Sequence, residues 1–150
     1  MPKVVFVALA LGWLALMPGA ASGAKTPDAR VLAVKASGAP GAYTFLVTIA
    51  SNDTGCAHYA DWWEVVDEHE RLLYRRVLLH DHADEQPFTR DGGPVVVSAN
   101  QTVTVRAHVN SSGYAAAALR GSVDAGFTPI ELPDAFAAEL AKKQPLPDVC

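Results

Sequence analysis

The sequence predicts an all-β domain, and three observations carry that reading. Strand-length stretches alternate apolar and polar residues with period two, most clearly over residues 43–49 and 102–109. About seven such stretches are separated by turns rich in Gly, Pro, Asn and Asp. Helical spacing is confined to one short segment near the C-terminus. Short strands in this pattern bury their apolar faces by packing as two sheets. The expected architecture is therefore a β-sandwich of immunoglobulin- or fibronectin-like layout with a short C-terminal helix.

Residues 1–24 have the layout of a cleaved secretory signal: a basic start at Met1-Pro2-Lys3, an uncharged apolar run over 4–17, and small residues over 18–24. Cleavage would fall after Ala21 or Ala24. The run of about 14 residues is short of the roughly 20 needed to span a bilayer. No cysteine follows it directly, so a lipid anchor is not indicated. The remaining chain suits one domain, with the sandwich over 25–126 and a tail over 127–150.

Within the sandwich, residues 31–36 read as a first strand and 37–41 as a turn. Residues 43–49 follow, with Tyr43, Phe45, Val47 and Ile49 on one face. Residues 62–66 place Trp63 and Val65 on one side and Trp62, Glu64 and Val66 on the other. The polar segment 67–70 reads as a hairpin turn, and 71–79 as the returning strand, whose imperfect alternation fits a strand buried partly on both sides or broken by a bulge. Residues 80–93 show no regular pattern. Asp91-Gly92-Gly93-Pro94 reads as a turn before a short strand at 95–97. Over 102–109, Val103, Val105, Ala107 and Val109 point inward and Thr102, Thr104, Arg106 and His108 outward. The alanines of 115–123 favour helix on propensity, but their place after the best strand favours a last strand. In the tail, Asp134 would cap a helix over 135–143, with Phe136 and Leu140 on one apolar stripe.

The formal net charge is −4, and −5 once Lys3 is removed. The acids are scattered and there is no basic patch, which excludes nucleic acid as partner. No basic amphipathic helix is present to bind a membrane surface. The only cysteines are Cys56 and Cys150, and export permits a disulfide between them, the alternative being a free or intermolecular Cys150. Localisation is expected to be periplasmic or secreted.

The strongest candidate for chemistry is His80-Asp81-His82. Residues i and i+2 of extended chain face the same way, so the two imidazoles could converge on copper or zinc. His58, His108 or Glu85 could complete the metal site, with Asp61, Asp84 and Arg90 around it as supporting groups. The leading expectation is thus metal binding through surface histidines. The alternative is a protein-interaction or structural adhesion module without metal, using an exposed aromatic surface at Tyr59 and Trp62 or a sheet edge. The expected partner is a metal ion or another secreted protein. No phosphate loop, nucleophile elbow or metalloprotease motif is present, and the chain reads as a non-enzyme.

The segments His58-Tyr59-Ala60-Asp61-Trp62-Trp63-Glu64-Val65, Arg76-Val77-Leu78-Leu79-His80-Asp81-His82 and Glu85-Gln86-Pro87-Phe88-Thr89-Arg90 together resemble a group of small, uncharacterised bacterial secreted proteins. The resemblance covers roughly residues 42–110. It implies an exported protein and draws attention to His58, Asp61, His80, His82 and Glu85 without implying an activity.

Overall fold

The computed structural model describes residues 1–2 and 27–150. The signal-peptide reading, apart from Met1 and Pro2, lies outside the described residues. Strands β1 (Ala29–Ala39), β2 (Ala42–Ser51) and β5 (Phe88–Val95) form one antiparallel sheet in the order β1-β2-β5. The second sheet contains β3 (Ala60–Asp67), β4 (Leu72–Val77), β6 (Val103–Val109), β7 (Gly113–Tyr114), β8 (Ala117–Ser122) and β9 (Gly126–Glu131). Its order is β4-β3-β6-β8-β9, with the short β7 also paired to β6. The fold is mostly β, with two sheets and minimal helix.

Period-two alternation explains the core. Phe45, Val47 and Ile49 of β2, Phe88 of β5, Trp63 and Val65 of β3, and Val103 and Val105 of β6 are all buried between the sheets. Yet β3 and β6 are buried along their whole length, on both faces. The outward residues Trp62, Glu64, Val66, Arg106 and His108 are covered because the C-terminal tail crosses the outer face of this sheet. Cys56 and Cys150 form a disulfide, which ties the end of that tail to the loop after β2.

Three expectations are corrected. The Asp91–Pro94 segment is not a turn but the middle of β5. Its glycines are there for close packing: a Cβ on Gly92 would lie 2.7 Å from the Tyr74 ring and 2.9 Å from Trp63, and one on Gly93 would lie 2.7 Å from the Tyr43 carbonyl oxygen. The larger sheet takes in β9, residues that the sequence assigns to the tail beyond 126; Phe127, Thr128 and Ile130 are good strand formers and pair with β8. The expected helix over 135–143 is only a 3-10 turn, Ala138–Lys142, preceded by Ala137 at φ 44° and without a side-chain cap from Asp134. The Phe136 and Ala137 carbonyls accept hydrogen bonds from Arg106, and the Ala137 carbonyl also takes the Leu140 N–H, which makes the turn 3-10.

Candidate functional site

The two histidine-bearing segments meet at one end of the sandwich, joined by Asp53 in the loop after β2. The Asp53 carboxylate accepts hydrogen bonds from the backbone N–H of Ala60 (2.9 Å) and of His82 (2.8 Å). Gln86 reaches back to Ser51 and to the His82 carbonyl, and Arg90 donates to Glu85 at 2.8 Å. Phe88 anchors the loop in the core, with the His82 ring stacked on it at 3.8 Å. Burial holds the His82 imidazole below the ordinary histidine range, with the Arg90 and His80 charges adding to the effect. Asp84 lies exposed at the loop surface.

This arrangement corrects the metal reading. His82 is enclosed and neither ring nitrogen has a partner. His58 is bonded through Nδ1 to the Ser111 hydroxyl, while His108 is bonded to Asp61. His80 and His82 do come together, with ring centroids 4.7 Å apart, but His58 and His108 are held by other neighbours, and no third ligand atom joins the pair among the described residues. Among the described residues, the group that does bring three ligand-type atoms within 4.8 Å is Cys56, Asp81 and Cys150. Its two sulfurs are spent on the disulfide, so it offers no thiolate to copper or zinc. The expected aromatic surface is likewise corrected. Tyr59 and Trp62 are 4% and 3% exposed, so neither presents a contact face to a partner. Trp62 is roofed by His108, stacked at 3.6 Å, and by the Arg75 guanidinium at 4.4 Å.

The chemically richest region lies under the tail. Glu64 is directly opposite Arg75 on one neighbouring strand and Arg106 on the other. Its Oε2 accepts from Arg75 Nε (2.8 Å), its Oε1 from Arg106 Nε (2.9 Å), and all three side chains are fully buried. One carboxylate cannot satisfy two guanidiniums. Arg75 therefore also donates to the carbonyls of Leu140, Lys143 and Pro145, and Arg106 to those of Phe136 and Ala137. The tail is thus a strap whose backbone completes the arginine hydrogen bonding. Arg106 also lies 3.4 Å over the Tyr114 ring. Burial and the nearby Glu64 carboxylate push the Tyr114 phenol upward, so it stays protonated.

Beside this cluster, a cavity of about 310 Å³ opens between strap and sheet, lined by Arg106, His108, Ser112 and Tyr114 on one side and by Leu132, Asp134 and Ala138 on the other. His108 donates its Nδ1 proton to the Asp61 carboxylate at 2.7 Å and is clamped between the Trp62 face and the Tyr114 ring. Asp61 does hold a histidine in place, and that partner is His108 on the neighbouring strand β6. Strand alternation could flag Glu64 and Arg106 as facing one way. The strand register that pairs them was not legible.

Fold and site together define a disulfide-tied, all-β protein with a strapped sheet face. A Halomicrobium mukohataei protein provisionally named a lipoprotein is 37% identical to it over 102 residues, 67% of this chain and 50% of that protein. The chain thus spans about half the length of the curated relative it matches. No family model matches the chain, and no solved structure gives a significant match.

Proposed function

We propose that this chain is an exported, non-catalytic protein-interaction module that binds an extended segment of a partner by strand addition at β1. The observation that carries the reading is the unequal size of the sheets. The smaller sheet ends at β1, whose far edge has no partner strand among the described residues, while the opposing sheet runs on past it. Strand β1 packs over β8 and β6, while β9 meets the smaller sheet through Phe127, whose ring lies edge-on to Phe45 of β2 at 5.9 Å. A strand added beside β1 would pair with the open edge of an eleven-residue strand and cover the half-buried Phe127.

The edge also has a sign. Its charged residues, Arg30 and Lys35, are both cationic and exposed, on a protein of net charge −4. They and the bulge between Val31 and Ala33 disfavour pairing with a second copy and favour an acidic segment. Sheets β1-β2-β5 and β4-β3-β6-β8 support an immunoglobulin- or fibronectin-like layout with β9 added, a scaffold suited to presenting edges and loops. Export is supported by the layout of residues 1–24, by the disulfide, and by the name of the matched relative. The lipid anchor that name implies is not carried over, because both cysteines of this chain form the disulfide. No helix of the described residues is long and apolar enough to cross a membrane. The likeness to small secreted bacterial proteins belongs to the same proposal.

The test is selection of ten-residue segments from a display library, followed by hydrogen exchange on the bound chain. Selected segments should be acidic and should slow exchange at β1 amides. Proline at Ala36 and at Ser37 supplies the control, since neighbouring strand residues aim their N–H groups to opposite edges. One substitution should abolish binding with little loss of stability, and the other should destabilise the β1-β2 pairing. Segments that bind without slowing exchange at β1 would refute the reading.

A further inference from the structure

We infer that the cavity beneath the strap is a binding site for a small amphipathic molecule bearing a hydroxyl or amine donor, recognised by Nε2 of His108. The inference is independent of strand addition at β1, which belongs to the other sheet.

The first support is size and lining. An apolar cavity of roughly 150 Å³ suffices to hold benzene, and this one measures about 310 Å³. Ala115, Ala116, Ala138, Ala141, Leu132 and Pro133 give it small apolar walls. A ring or branched alkyl body with one polar substituent therefore fits.

The second support is how His108 is held. A histidine needed only for packing has no use for a fixed tautomer. Here Asp61 takes the Nδ1 proton, Trp62 stacks on one ring face with the planes 6° apart, and Tyr114 meets the ring edge-on. The residue is 91% buried, yet Nε2 is not among the sealed, unpartnered atoms, and His108 lines the cavity. With its Nδ1 proton given to Asp61, the tautomer leaves Nε2 of the cavity-lining His108 as a hydrogen-bond acceptor.

The third support is the balance of donors and acceptors, which sets the ligand class. Besides Nε2, the lining offers the Asp134 carboxylate, another acceptor, and the Ser112 hydroxyl. The one guanidinium on the wall, Arg106, is spent on Glu64 and on two strap carbonyls. An acceptor-rich cavity without a spare cationic donor suits a ligand that donates and repels a carboxylate or phosphate.

Three probes of similar shape test this: benzyl alcohol, benzylamine and toluene. Each is titrated into the intact, oxidised chain while the imidazole nitrogens are followed by NMR. At least one of the two donors should shift His108 Nε2 saturably and bind at least tenfold more tightly than toluene. His108→Phe keeps the stack on Trp62 and removes the acceptor, and it should weaken that donor at least tenfold while leaving toluene unchanged. Asp134→Asn, which spares the stack, separates the two donor classes: a selective loss of benzylamine assigns amines, and an unchanged profile assigns hydroxyls. Failure of both donors to bind overturns the inference, as does toluene binding equally well or a saturable titration that leaves His108 Nε2 unmoved.

Discussion

Replacing Glu64 with Gln tests whether the buried ion cluster holds the strap. The substitution keeps shape and removes the charge that two guanidiniums share at 2.8–2.9 Å through their Nε atoms. Glu64 and its partners Arg75 and Arg106 have side-chain exposures of 0–1%, so solvent cannot take the place of the lost carboxylate. Breaking a buried pair in this way costs about 3–5 kcal/mol. For a domain of this size a kilocalorie corresponds to roughly 4 °C, so the melting temperature should fall by roughly 10–20 °C. The internal comparison is Arg71→Ala, which removes an ion pair to Asp67 whose arginine is 69% exposed. That change should cost less than about 1 kcal/mol. Calorimetric unfolding of the three proteins at neutral pH decides the matter. A Glu64→Gln variant melting within about 3 °C of the parent, or no lower than Arg71→Ala, would refute the argument that the cluster organises this face.

Two further outcomes follow from packing and titration. The unfolded chain protonates His82 as pH falls through about 6.5, whereas the buried ring resists, so stability is full above that pH and declines below it until the folded ring titrates. His82→Phe keeps the stack on Phe88 and should flatten the fall in urea midpoint between pH 7 and 5; an unchanged slope would place the pH sensitivity elsewhere. Gly92→Ala should lose about 1–3 kcal/mol by overpacking, because the new methyl meets Tyr74 at 2.7 Å and Trp63 at 2.9 Å; a neutral result by denaturant unfolding would show that Tyr74 can move aside.

What the sequence made legible was direction, and what it hid was cover. Alternation pointed Phe45, Val47 and Ile49 into the core, where they lie. The same alternation pointed Arg106 and His108 outward, and outward they go, but into a strap rather than water. A strand's own pattern carries no information about a segment thirty residues later that lies across it. Register was hidden for the same reason, so Glu64 could not be matched with its two arginines, nor Asp61 with His108. The histidine run misled because spacing was read as purpose. His82 is inside, and the residue that organises its loop is Asp53, whose carboxylate accepts two backbone N–H groups from distant segments. Gly92-Gly93-Pro94 misled because glycine serves close approach as well as turns.

The strap links stability to the cavity but not to β1, and this separates the two binding proposals. The Cys56–Cys150 bond closes a loop of 94 residues, for which chain entropy gives about 4–5 kcal/mol. Its loss frees the end of the segment that supplies the cavity's outer wall at Leu132, Asp134 and Ala138. Strand β1 is paired to β2 and packed on β8 and β6. Cys150→Ser should therefore lower the urea midpoint and weaken the donor probes at the cavity. Under conditions where the variant is still folded, selected peptides should slow exchange at β1 as strongly as in the parent. Equal loss at both places would mean that the sheets loosen together, and the two surfaces could not then be independent sites on one scaffold. Loss at the cavity alone is the outcome the geometry requires, since a disulfide at the end of the strap acts on what the strap covers.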